Sequence, residues 1–158
     1  MAEAYYVLSK FREALLYDEH SLRIYKEAGD RKGEGESLSN LGLLYNSLGN
    51  IAQALSYYQQ ALAIRREVGD RSGEGATLWN IGALYFKQSR YEVSLACLLL
   101  ARNIFEEVQS PNHDKVQEWI DGLQEKVGKK QFADLLSQVE PQTHQIVEKT
   151  LHEGLRQV

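Results

Sequence analysis

The chain has 158 residues, of which 25% are charged, and a formal net charge of −4. That length suits one domain, and the acidic balance excludes the basic footprint of a nucleic-acid binder. The single cysteine, Cys97, excludes an internal disulfide and suits a reducing compartment, and the longest apolar run, Leu95 to Ala101, falls far short of the ~20 residues that span a bilayer.

Apolar residues recurring at i, i+3, i+4 and i+7 predict helices at about 2–9, 11–28, 30–47, 51–68, 70–87 and 91–108. Ile51, Ala54, Leu55, Tyr58, Ala61, Leu62 and Arg65 draw one such stripe. Leu38, Leu41, Gly42 and Tyr45 draw another on the helix before it. Gly49-Asn50 separates the two. Gly69 stands where a helix ends in the left-handed conformation, and Asp70 is placed to cap the next helix.

The elements repeat. Residues 10–49 laid on 50–89 match at 17 of 40 positions with no gap. Gly29-Asp30-Arg31-Lys32-Gly33-Glu34-Gly35 falls on Gly69-Asp70-Arg71-Ser72-Gly73-Glu74-Gly75. Leu95, Ala101, Ile104 and Val108 carry the register into a third copy. A fixed period requires each copy to be the same supersecondary unit, stacked on its neighbours. The first copy starts about ten residues late against the others, which leaves its end trimmed or covered by something else. Ser94 and the run Cys97-Leu98-Leu99-Leu100 depart from the pattern, so the helix at 91–108 is expected to pack on an extra face.

Leu38, Gly42, Tyr45, Ala54, Tyr58 and Ala61, with Leu78, Gly82, Tyr85, Ser94, Leu98 and Ala101 in the next copy, stand at large-small-aromatic positions. This resembles the tetratricopeptide repeat, in a long 40-residue form similar to that of kinesin light chains, mitotic-spindle scaffolds and bacterial signalling scaffolds. The resemblance implies an all-α fold: a right-handed superhelical stack of antiparallel helix pairs with C-terminal capping helices. It divides the chain into an array over 1–110 (a partial copy at 1–29, then 30–69 and 70–109), a capping helix at 111–128 and a helical extension at 129–158.

Past Pro111 the repeat fades. Val116, Trp119, Ile120, Leu123 and Val127 form a stripe whose other face is polar, as a capping helix requires, and Gly122 lies 40 residues after Gly82. Phe132, Leu135, Leu136 and Val139 follow, and Pro141 ends that helix. The last stripe, Ile146, Val147, Leu151, Leu155 and Val158, has three places open to it: on the capping helix, against another chain, or in the chain's own groove.

No phosphate loop, nucleophile elbow or Cys-x-x-Cys is present, so no enzyme activity, cofactor or small-molecule substrate is expected. Asp30, Glu34, Asp70 and Glu74 read as acids favoured in a first helical turn and not as metal ligands. His144, Glu148 and His152 share a helix face but offer a weak metal set, and His20 and His113 are isolated. Arg31 and Arg71 are expected to pair between copies, for instance Arg71 with Asp30 or Glu34.

The resemblance places the first helix of each pair along a concave groove. It maps the lining onto Glu36, Ser39, Asn40, Leu43, Asn46 and Ser47, then onto Ala76, Trp79, Asn80, Ala83, Phe86 and Lys87, with Glu3, Tyr6 and Val7 from the first copy. Asn40 and Asn80 can donate to and accept from a peptide backbone, or else bond neighbouring helices. Trp79, Phe86 and Leu43 offer apolar anchors, Trp79 also being a core candidate. Of the carboxylate-clamp positions Ser39, Leu43, Trp79, Ala83 and Lys87, only Lys87 fits. The expected function is a non-catalytic scaffold binding a partner peptide or helix, without nucleic acid or membrane, in the cytoplasm. The alternative is a self-assembly module, a homo-oligomer built through the C-terminal helix and the open first copy.

Overall fold

The computed structural model describes residues 2–155, with side chains from 10 to 153. All its regular elements are helices: α1 (Ala2–Ala28), α2 (Arg31–Ser47), α3 (Ile51–Glu67), α4 (Arg71–Lys87), α5 (Tyr91–Glu107), α6 (Asn112–Val127), α7 (Lys129–Val139), a 3-10 turn (Glu140–Gln142) and α8 (Thr143–Leu155). The break expected near residue 10 is absent. Ser9-Lys10 stands where later copies carry Gly49-Asn50 and Ser89-Arg90, but α1 runs through it.

The helix boundaries follow from local chemistry. Helices α2 to α5 are each 17 residues long. A residue with positive φ recurs every twentieth position, at Gly29, Gly49, Gly69, Ser89 and Gln109. The next amide bonds back across the helix end: Asp30 N–H to Tyr25 O at 2.9 Å, Asn50 to Tyr45 at 2.9 Å, Arg90 to Tyr85 at 3.0 Å and Ser110 to Phe105 at 2.8 Å. This is the six-residue closure that satisfies the last carbonyls of a helix. Asp30, Asn50 and Asp70 then accept from the amides of Gly33, Gln53 and Gly73, which caps α2, α3 and α4.

The chain divides into two compact units, residues 1–69 and 70–158. In the first, α2 packs on α1 and, more extensively, on α3. Leu38, Ala61 and Ile64 form a buried cluster joined by Leu22 of α1 and Tyr57 of α3. Between α2 and α3 the tightest glycine contact lies at Gly42, where a Cβ would meet the Tyr58 ring at 2.6 Å, and between α2 and α1 Gly33 lies against the Tyr25 ring. Tyr58 is fully buried.

In the second unit α4 packs on α5, and α6, α7 and α8 pack on α5 as well. A Cβ on Gly82 would lie 2.9 Å from Leu98, and the Ser94 hydroxyl donates across this crossing to the Gly82 carbonyl at 2.8 Å. Helix α5 is buried without interruption from Val93 to Ala101, which accounts for its apolar run. The stripe of α8, with Val147 and Leu151 buried, is seated on α5 and not chiefly on α6. The Leu155 and Val158 side chains lie outside the described residues.

Helix α6 leaves the 40-residue register. Its buried residues Val116, Ile120 and Leu123 follow the buried Thr77, Ile81 and Leu84 of α4 at a spacing of 39. Gly122 therefore has no role like that of Gly82: a Cβ there would meet nothing within 4 Å.

The recurring arginines pair within each hairpin, not between copies. Arg31 donates to Glu34 and, through Nη2 and Nε, to Glu67 at 2.6 and 3.2 Å. Arg71 bridges Glu74 and Glu107, each at 2.6 Å. An antiparallel pair sets the first turn of one helix beside the last turn of the other, where these acids lie. The arginine hydrogen bonds hold the Glu67 and Glu107 carboxyls below their ordinary value.

Two expectations follow. Gly42→Ala should destabilise the fold by about 1–3 kcal/mol through overpacking, whereas Gly122→Ala should stabilise it by about 0.5–1 kcal/mol through helix propensity, as urea unfolding will report. A depressed carboxylate pKa gives stability that is present at neutral pH and is lost as pH falls below 4.5 through the folded value. The urea midpoint of Glu67→Gln/Glu107→Gln should accordingly fall less steeply below that pH than the native midpoint does.

Candidate functional site

The α2 face turned from α3 carries Glu36, Asn40, Leu43 and Ser47, all exposed. Their spacing of four, three and four keeps them on one side of a helix. Asn46 is half-buried beside them. Ser39 is only 7% exposed, so it does not line this face as expected. The Asn40 amide donates to Asp18 of α1 at 3.5 Å. Burial pushes the Asp18 carboxyl up, and the Asn40 bond opposes that shift. Ser47 turns its hydroxyl back onto the Leu43 carbonyl at 2.9 Å. Leu43 is left as an apolar side chain between polar neighbours, 43% exposed.

The corresponding face of α4 is drier. Ala76, Asn80 and Ala83 are half-buried and Lys87 is exposed. Trp79 is also half-buried, its ring edge-on to Phe105 with centroids 6.4 Å apart. Phe86 stands edge-on to Trp119 of α6 at 5.6 Å and tilted against Tyr91 of α5 at 6.0 Å. Both aromatic anchors are thus partly committed to the packing of the second unit. Trp119 belongs to this aromatic group too. Its signal in the sequence was its place on the apolar stripe with Val116, Ile120 and Leu123. The Glu3, Tyr6 and Val7 side chains lie outside the described residues.

The rest of the surface offers little for chemistry. Among the described residues no three His, Cys, Asp or Glu side chains gather as a metal site, His144, Glu148 and His152 included. Cys97 is buried, and burial pushes its thiol up to about 12, far from a reactive thiolate. A cleft of about 250 Å³ between the start of α5 and α8 is lined by side chains of both signs, among them Arg90, Glu92, Lys149 and Glu153. Arg90 lies over the Tyr85 ring, 4.8 Å from its centre. No described helix is long and apolar enough to cross a membrane.

Residues 1–67, which hold α1, α2 and α3, match the family model of the tetratricopeptide repeat. Repeats of that family generally mediate protein–protein contacts and are not catalytic. No curated protein matches the chain.

The geometry separates structural from surface residues. Trp79→Ala should lower stability by about 1–3 kcal/mol, since it removes a half-buried ring and its edge-on partner contact. Asn40→Ala and Lys87→Ala should each stay within ±0.5 kcal/mol, as surface changes do. Differential scanning calorimetry checks the contrast.

Proposed function

We propose that this protein is a non-catalytic protein-interaction scaffold, in which the outer faces of α2 and α4 each receive a segment of a partner protein. The observation that carries this reading is the side-chain set Glu36, Asn40 and Leu43 on α2. It combines an exposed apolar residue, an amide and a carboxylate on one rigid helix face, next to no acid–base or metal constellation among the described residues. Rigid helices hold such side chains with little ordering cost, which favours recognition of an extended or helical peptide. The family match over residues 1–67 supports the same class of function.

On α4 the contribution comes from Asn80 and Lys87, with the Phe86 and Trp119 rings as a half-open aromatic wall. Lys87 alone fits a carboxylate clamp, so the partner segment is bound through its side chains and backbone and not through a free C-terminus. The absence of a membrane-length apolar helix among the described residues and the acid-leaning surface accord with work in the cytoplasm on soluble partners. Of the α8 stripe, Val147 and Leu151 are buried and Ile146 is half-buried, with α8 packed on α5, which favours the scaffold reading over self-assembly through this helix.

The test separates surface from stability. Native protein and the variant Asn40→Ala/Leu43→Glu/Asn80→Ala/Lys87→Glu are immobilised, and the captured proteins are compared by quantitative mass spectrometry. The expected result is a defined set of proteins retained by the native chain and lost by a variant with an unchanged melting temperature. The same set on both would contradict the proposal.

A further inference from the structure

Helix α6 brings a further open face into the second unit. Its one-residue slip against α4 sets Lys115, Trp119, Gly122 and Lys126 in the places of Ala76, Asn80, Ala83 and Lys87, each 39 positions on. Both sets keep the spacing of four, three and four that holds side chains on one side of a helix. In α6 this stripe lies beside the buried one, Val116, Ile120 and Leu123. Lys115 and Lys126 are exposed at its ends, and Trp119 and Gly122 are half-buried between them. A Cβ on Gly122 would meet nothing within 4 Å, so this glycine belongs to an open surface and not to a helix crossing. The Phe86 and Trp119 rings, with centroids 5.6 Å apart, join the α4 and α6 stripes.

Charge is sorted on this surface. The acids of α6, Asp114, Glu118, Asp121 and Glu125, form a stripe of their own, one residue earlier at each step and so about 100° round the helix from the lysines. Asp121 accepts from Gln117 at 2.8 Å, and Asp114 meets His113 at 3.2 Å. Lys87, Lys115 and Lys126 are all exposed, and among the described residues none of them enters an ion pair. Neither the α4 stripe nor the α6 stripe contains an acid. Shape is sorted as well. Ala83 and Gly122 stand where α2 carries Leu43, so small residues lie beside two half-buried rings. That combination leaves room for a large apolar side chain from outside.

We propose that the joined α4–α6 face takes an acidic segment of a partner protein, with a large apolar side chain over Ala83 and Gly122 against the Phe86 and Trp119 rings, and with carboxylates on Lys87, Lys115 and Lys126. Charge complementarity names this occupant, since three cations with no acid beside them attract carboxylates and repel lysine-rich segments. A second copy offering the same face would set lysine on lysine. A nucleic acid is also anionic, but the chain's net charge of −4 opposes a polyanion, and the recess asks for an apolar side chain. The partner chemistry assigned here rests on the scaffold reading proposed above. It distinguishes the α4–α6 face from that of α2, whose stripe carries Glu36 and no lysine between Glu36 and Ser47.

The probe is a random 12-residue peptide library displayed on phage and panned on the full chain at low salt. The expected result is enrichment of peptides that join a large apolar residue to two or more Asp or Glu. A synthetic copy of the most enriched peptide, followed by fluorescence anisotropy, should bind about tenfold more weakly to Lys115→Glu/Lys126→Glu. Gly122→Leu fills the recess without meeting a neighbour, so it should keep the melting temperature and also weaken binding about tenfold. Enriched peptides that lean to Lys or Arg, or acidic peptides whose binding ignores both variants, would overturn the proposal. So would a single-stranded oligonucleotide that binds as tightly as the peptide. Peptides lost with Leu43→Glu on α2 but not with the lysine variant would overturn it and leave the scaffold reading standing, whereas a library with no enriched peptide would overturn both.

Discussion

The pairing of α2 with α3, and of α4 with α5, depends on an approach in which backbone meets side chain with no room for a Cβ. At Gly42 the space of a methyl group is taken by the Tyr58 ring, and at Gly82 by Leu98. Interiors are close-packed, so the distance between two helices is set by the largest obstacle on the crossing line. Removing that obstacle from α2 and α4 lets Tyr58 and Leu98 be fully buried and brings Ala61 and Ala101 to zero exposure. The Ser94 hydroxyl on the Gly82 carbonyl adds a polar tie at one of these crossings, and its own burial is thereby satisfied.

From that seam the exposed face of each hairpin follows. A helix whose inner face is used up by its partner has only its outer face to offer, and α2 offers Glu36, Asn40 and Leu43 there. The ion pairs act at the rim of the same hairpins. Arg31 and Arg71 each bind one acid on their own helix and one on the partner helix, which locks the sliding register of the pair more than it adds stability. The turns show a finer order. Their left-handed residues recur every 20 positions although the residue types recur every 40, so both kinds of turn close in the same way around different side chains. Ser89 and Gln109 adopt this conformation without being glycine, at a cost of about 1–2 kcal/mol each, which the packing of α5 offsets.

Much of this was legible in the sequence. Gly69, Asp30 and Asp70 carry their roles in their chemistry, so the ends of α2 to α5 fall within a residue of expectation. The unbroken apolar run of α5 announced an extra packed face. The illegible parts are those that depend on tertiary choice. Period alone suggested a break near Lys10, but α1 runs through Ser9-Lys10, although Ser89-Arg90, equally without glycine or side-chain cap, ends α4 in a left-handed turn. Gly122 kept its spacing while α6 slipped by one residue, which a glycine cannot reveal by itself. Arginine sees an acid equally well in a neighbouring copy or across its own hairpin, and only geometry decides. Of the residues proposed for binding, Asn40 and Leu43 are exposed as expected, while Ser39 is buried and Trp79 and Phe86 are half-buried against neighbours on other helices.

The central claim is that α2 packs on α3, and α4 on α5, through glycines in contact with side chains. The most direct measurement is a set of NMR cross-relaxation contacts on the full chain at neutral pH. Cross-peaks between the Gly42 α-protons and the Tyr58 ring, and between the Gly82 α-protons and the Leu98 methyls, are the predicted result. Gly42 and Gly82 signals without those partners, or with solvent exchange as fast as that of an open helix, would contradict it.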